Sequence, residues 1–282
     1  MDAGAETRSD AGAPTDGGPS TAAGQIGWMI GVSAVDLIVQ DGGAALAEAY
    51  FDGGGTFVMG QQQPYPSAVA TRSYAAFDGG LAPILAGCGL ASEVGAVVLD
   101  LEHWPLTPPE EQADPVGTYR AAYAAVGAFN GDCRDGGSAL RLIATPATDL
   151  VAVLAPDAGP GQKYQAFLDL GLARDIAAAC DILEVQAQGS EMSPAVFVSF
   201  VQEAAAQAQV GHPGLPVFAG LSTNPTGTRA DAGTLFGDIL QTLGTVQGCW
   251  LNVPGQSAAC PTCGVPQPDV AIDLLQLLED HG

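Results

Sequence analysis

After residue 24 the chain alternates between two patterns of apolar positions. Short runs rich in Val, Ile and Leu, bounded by Gly, Pro, Asp or Asn, read as buried strands. Longer Ala-rich stretches, with apolar residues recurring every three or four positions, read as amphipathic helices. Strands are predicted over 27–32, 56–60, 95–101, 140–145, 181–188, 215–221 and 246–253. Helices are predicted over 115–129, 162–179, 194–208, 232–243 and 268–279. Parallel neighbours need crossovers of a dozen or more residues, usually helical, so this alternation predicts an α/β fold with a parallel sheet. An eighth strand is sought in 36–40, where Asp36-Leu-Ile-Val-Gln40 fits either a strand or a helix. The expectation is a single-domain TIM-type (β/α)₈ barrel over 25–282, and a doubly wound open sheet is the alternative. No Gly-x-Gly-x-x-Gly follows any predicted strand, which counts against dinucleotide binding.

Polar residues gather where the predicted strands end: 61–63, 100–104, 145–149, 186–188, 222–224 and 250–252. In a barrel those ends converge on one face, the face on which such folds keep their chemistry. The densest cluster is Val97-Val-Leu-Asp100-Leu-Glu102-His103-Trp104. Strand side chains alternate, so Val98, Asp100 and Glu102 share one face while Leu99 and Leu101 face the helices. The two acids are roughly 6–7 Å apart at Cα by strand rise. Close carboxylates repel, so one retains its proton and can act as a general acid, with Glu102 nearer the mouth and Asp100 behind it. The plainer reading is that one or both cap the amides of the next loop. His103 either orients Glu102 or starts that loop, with Trp104 beside it.

In Asp181-Ile-Leu-Glu184-Val-Gln186-Ala-Gln188, the residues Glu184, Gln186 and Gln188 point one way. Inward amides both donate and accept, which suits sugar hydroxyls or an acetamido group. Glu184 is either a second acid or a buried structural carboxyl. Trp250 and Asn252 share a face near another strand end, where an inward indole offers an apolar floor to a sugar ring or serves as core. Thr145, Asp149 and Ser222–Asn224 read first as caps and turns. A metal site from Asp100, Glu102 and His103 meets the objection that neighbouring strand residues point to opposite faces. No metal and no cofactor is therefore expected. Neither a Gly-x-Ser-x-Gly elbow, a P-loop nor a His-Glu-x-x-His is present.

With 31 acidic and 8 basic residues, the net charge is −23. Such a charge repels phosphate backbones and anionic lipid surfaces, so nucleic acid is not an expected partner and a small neutral substrate is. No apolar run reaches transmembrane length. Six cysteines are present. Cys88 and Cys133 each precede a strand of what should be neighbouring position, so both lie near the barrel's N-terminal face and can bridge. Cys260 and Cys263 form a candidate loop staple. Residues 1–24 lack any large apolar residue after Met1 and repeat Asp-Ala-Gly, so they are expected to be a disordered tether. Acidic tethers of this kind resemble the stalks of bacterial lipoproteins. A secreted or envelope-anchored bacterial protein follows, its export signal replaced by Met1; a cytosolic protein with a floppy tail is the other reading.

The order of these motifs resembles the glycoside hydrolase family 18 barrel, particularly its compact chitinases. Asp100-Leu-Glu102 is similar to the end of that family's Asp-x-x-Asp-x-Asp-x-Glu signature, Gln186-Ala-Gln188 to its Gln-x-Tyr motif, and Trp250 to its inward Trp. Gly95 and Val98 stand at the two earlier aspartates of the signature, and Gln188 stands at the tyrosine. The resemblance implies hydrolysis of an N-acetylhexosamine-containing glycan. Glu102 would protonate the glycosidic oxygen and Asp100 would orient the acetamido group that attacks the anomeric carbon. A glycan-binding barrel without catalysis, or a metal-dependent or lyase-type enzyme using the same Asp-x-Glu pair, are the alternatives.

Overall fold

The computed structural model describes residues 26–134, 138–159, 161–256 and 262–281. Eight strands form a closed, all-parallel barrel in chain order: β1 (Gly27–Gly31), β2 (Thr56–Met59), β3 (Val69–Tyr74), β4 (Val94–Leu99), β5 (Arg141–Ala144), β6 (Ile182–Val185), β7 (Val217–Ser222) and β8 (Gly248–Asn252). Closure is made by β1 against β8, with Met29 opposite Trp250. The (β/α)₈ barrel is therefore the fold, and an open sheet is excluded. The expected tether, residues 1–24, lies outside the described residues.

One strand is not where the apolar pattern put it. Residues 36–40 belong to a helix, Val32–Gln40, which buries Ala34, Val35 and Ile38 on one helical face. The remaining strand is β3, Val-Ala-Thr-Arg-Ser-Tyr, with only Thr71 fully buried. Residues 60–68, which link β2 to β3, contain no helix. Without a covering helix, Arg72 can face outward, and the apolar run that marks the other strands has no reason to exist. The pairing of β3 with β4 also shifts register between Ala70 and Thr71.

The other helices follow their patterns closely: Pro115–Asp132, Pro194–Gly211, Ala232–Thr242 and Pro268–His281. The stretch 162–179 is two helices, Lys163–Asp169 and Leu172–Ala177, because Gly171 adopts a left-handed conformation (φ 66°) that ends the first. Asp114 and Asp231 cap the helices that follow them by accepting from the amides of Gly117 and Thr234.

Alternation along each strand divides the core into two layers. Leu99, Leu101, Leu183, Val185 and Leu251 face outward into the helix-packed core. Met29, Phe57, Ala96, Val98, Ile143, Ile182 and Phe218 fill the barrel interior. A cavity of about 780 Å³ opens at the N-terminal end among Gly27, Gly55, Phe57 and Phe218, with the Arg141 guanidinium lying over the Phe57 ring. A smaller one, about 220 Å³, opens at the C-terminal end and is lined by Glu102 and the predicted amides Gln186, Gln188 and Asn252. Cys88 and Cys133 are disulfide-bonded, as their positions before β4 and β5 predict. The Cys260–Cys263 staple involves a residue outside the described ones. Cys180 and Cys249 are free and buried. Among the described residues, no helix is long and apolar enough to cross a membrane.

Candidate active site

The alternation of β4 continues past its last residue. The amide of Asp100 donates to Tyr74 C=O (2.8 Å), that of Thr145 to Leu99 C=O (3.1 Å) and that of Ala147 to Leu101 C=O (3.0 Å). Ladder pairing therefore runs on through Leu101, which buries Leu99 and Leu101 outward and leaves Val98, Asp100 and Glu102 on the inner side. Asp100 accepts hydrogen bonds from Thr145 Oγ1 (2.9 Å) and Gln186 Nε2 (2.6 Å), and the Gln186 amide also donates to Thr145 C=O (3.2 Å). Three neighbouring strands thus hold one carboxyl.

Glu102 stands above, at the edge of the 220 Å³ pocket, with Gln186, Gln188, Trp250 and Asn252. Five of the nine predicted site residues line this one space. It is below the 300–1,000 Å³ of pockets for drug-sized ligands, so it suits a single ring rather than a chain segment. Two more residues belong to the same constellation without lining it. Asp100 lies behind Glu102. Glu184 lies behind Glu102 as well, fully buried on β6 opposite Phe218 of β7, with neither carboxyl oxygen hydrogen-bonded among the described residues.

Burial raises the affinity of all three carboxyls for their protons. For Asp100 it lifts the pKa to about 7, against the opposing hydrogen bonds from Thr145 and Gln186. For Glu102 burial comes first and the charges of Asp100 and Asp149 next, giving about 8. Burial, then Asp100 and Glu102, push Glu184 well above the ordinary carboxyl range. The group most exposed to the pocket is thus a protonated acid at neutral pH, beside a carboxyl whose donors favour its ionised form.

His103 and Trp104 do not line the pocket. The His103 side chain is exposed, and its amide donates to Asp149 Oδ1 (2.9 Å). Trp104 builds the loop: its Nε1 donates to Thr107 Oγ1 (2.8 Å), which also accepts from the Glu102 amide (3.2 Å) and donates to Ala75 C=O (2.8 Å). Gln112 Nε2 closes this loop by donating to the carbonyls of Trp104 and Thr107. The pairing of adjacent residues on opposite sides removes His103 from Glu102, as strand geometry requires.

Some positions were not legible as site residues. Lys163, Ala147 and Thr148 line the pocket, and Asp149, which reads as a cap, both caps His103 and lines it. The signal for Lys163 is that it is the only lysine in the chain. Thr107 and Gln112 support Glu102 from the polar loop that follows it. Ser222 and Asn224 are structural: Asn224 Nδ2 donates to the carbonyls of Pro254, Cys263 and Val265. Among the described residues, no group of three or more His, Cys, Asp and Glu side chains is arranged to hold a metal ion. No protein-family model matches this chain, and no curated protein sequence matches it significantly.

Proposed function

We propose that the protein is a glycoside hydrolase acting on an N-acetylhexosamine-containing glycan, with Glu102 as general acid and Asp100 as its partner. The observation that carries this reading is the division of labour within the pair. Asp100 receives two side-chain donors, which stabilise a carboxylate, whereas Glu102 faces the pocket and keeps its proton to about pH 8. In the reaction, Glu102 gives its proton to the glycosidic oxygen as the bond to the anomeric carbon breaks. The substrate's acetamido oxygen bonds to that carbon, and Asp100 stabilises the positive charge that develops on the acetamido nitrogen. Water then attacks the anomeric carbon, its proton returns to Glu102, and the acetamido group is released. Gln186 and Gln188 offer amides to the sugar, and Trp250 its ring face. The Cys88–Cys133 bond supports action outside the cytosol, in a secreted or envelope-anchored protein.

The test is hydrolysis of N-acetylglucosamine oligomers by the wild type and by Glu102→Gln. Turnover should fall about 10²–10⁴-fold in the variant while binding persists. The wild-type rate should also decline as pH rises through about 8, because the acid must be protonated to act. Undiminished turnover in Glu102→Gln would remove Glu102 from this role. Binding without any hydrolysis by the wild type would favour a glycan-binding barrel, a reading that the small pocket also accommodates.

A further inference from the structure

We infer that Lys163 recognises a carboxylate on the sugar bound beside Glu102, making the substrate class an acidic N-acetylhexosamine glycan rather than a neutral one. The inference rests on the glycan reading above and narrows it.

Three observations lead here. First, the only lysine of a chain with net charge −23 is part of the pocket lining, at the start of the helix Lys163–Asp169. Lysine ordinarily keeps its ammonium in bulk water. Here it is partly buried, and burial lowers its pKa despite the opposing charges of Asp149 and Glu191.

Second, neither of those acids pairs with it. The ion pairs among the described residues are Arg174–Asp175 and Arg229–Asp269. Asp149 is engaged by the His103 amide. Glu191 is engaged by the amides of Gly189 and Ser222, which tie the β6 turn to β7. The ammonium lies over the face of Tyr164, with its nitrogen 4.7 Å from the ring centroid, and makes no ion pair among the described residues.

Third, apart from Asp149, which forms no ion pair with Lys163 among the described residues, the pocket groups supply no counter-ion at neutral pH. Glu102 holds its proton there, and Gln186, Gln188, Trp250 and Asn252 are neutral. A partly desolvated cation without a partner is unfavourable in the empty protein, and an anionic group on the ligand relieves it. A charge-assisted hydrogen bond between ammonium and carboxylate is about twice as strong as a neutral one. The acidic surface repels polyanions, but a single carboxylate delivered next to Lys163 meets a local attraction that the long-range field does not cancel.

The experiment uses the uniqueness of this lysine. Reductive ¹³C-methylation gives Lys163 a side-chain NMR signal of its own while retaining its charge. Three tetrasaccharides are titrated: a chitin oligomer, a peptidoglycan-type oligomer whose alternate sugars carry a lactyl-ether carboxylate, and the methyl ester of the latter. The free acid should bind about tenfold tighter than its ester and move the lysine methyl signal, and the ester should not move it. In Lys163→Met the preference should vanish, with the fold of the variant read from its circular dichroism and from continued binding of the ester. Equal binding of acid and ester by the wild type, or a preference that survives Lys163→Met, would overturn the inference and leave the glycan reading standing. Binding of none of the three would overturn both.

Discussion

Replacing Glu184 with Gln tests the interior of the barrel without reference to any substrate. Glu184 is fully buried on β6, and neither of its oxygens has a hydrogen-bond partner among the described residues. An ionised carboxylate in that position would be desolvated and would face Asp100 and Glu102, so the folded protein keeps Glu184 protonated and its pKa is raised. In the unfolded chain a glutamate releases its proton near pH 4.3. The folded state therefore binds one proton more than the unfolded state above that pH. Stability contributed by this group is complete below about pH 4 and is lost as pH rises toward the folded pKa. The loss is about 1.4 kcal/mol per pH unit for one proton.

Gln has the shape of neutral Glu and does not titrate. Near pH 5 the two proteins should differ by less than about 1 kcal/mol, because both bury an unpaired polar group of the same size. With each kcal/mol worth about 2–4 °C in a chain of this length, the melting temperature of Glu184→Gln should gain roughly 3–6 °C on the wild type for each pH unit above that. Scanning calorimetry at pH 5, 6 and 7 measures it directly. Asp100 and Glu102 titrate in both proteins, so the difference between the two curves isolates Glu184. Parallel curves would mean that Glu184 is ionised in the fold or satisfied by a partner, and the account of the three interior carboxyls would be wrong.

The Cys88–Cys133 bond closes a loop with a sequence separation of 45, which corresponds to about 4 kcal/mol of chain entropy removed from the unfolded state. Cys133→Ser should lower stability to urea by about that amount, and an unchanged unfolding midpoint would refute the assignment. Lys163→Met should cancel the preference for an acidic glycan over its ester, as titration of the two will report. Glu102→Gln should lower turnover about 10²–10⁴-fold but keep binding, read from hydrolysis and from calorimetric titration of the same oligomer.

The barrel was legible because most of its strands are buried on both faces. Val94–Leu99 and Val217–Ser222 are almost continuous buried runs, which only a sheet covered on both sides requires. β3 escaped because its outer face carries no helix, so burial imposes no apolar run on it; helix Val32–Gln40 mimicked a strand because Leu37-Ile-Val39 is a short β-branched-rich run with helical burial. Period two was enough to put Asp100 and Glu102 on one face, and Glu184, Gln186 and Gln188 on another that meets it. It said nothing of depth along the barrel axis. Depth comes from register: Val98 pairs with Ile143 and Ile143 with Ile182, which places Asp100, Thr145 and Glu184 at one level and lets Gln186 reach Asp100. Lys163 was beyond reach for a different reason: it enters the pocket from a helix that follows β5, and no strand periodicity governs it.

That arrangement also bears on which carboxyl suits the proposed chemistry. Burial holds the proton on Glu184 strongly, but Glu184 does not line the pocket that Glu102 faces. Asp100 lies behind Glu102, and the hydroxyl of Thr145 and the amide of Gln186 occupy one of its oxygens from within the barrel. Glu102 sits where the ladder to β5 ends, its amide anchored to Thr107 and its carboxyl at the pocket edge. The two acids beneath it make ionisation of Glu102 costly, and the pocket makes its proton available. A strongly shifted pKa marks burial; reactivity needs burial and access together, and among the three interior acids only Glu102 has both.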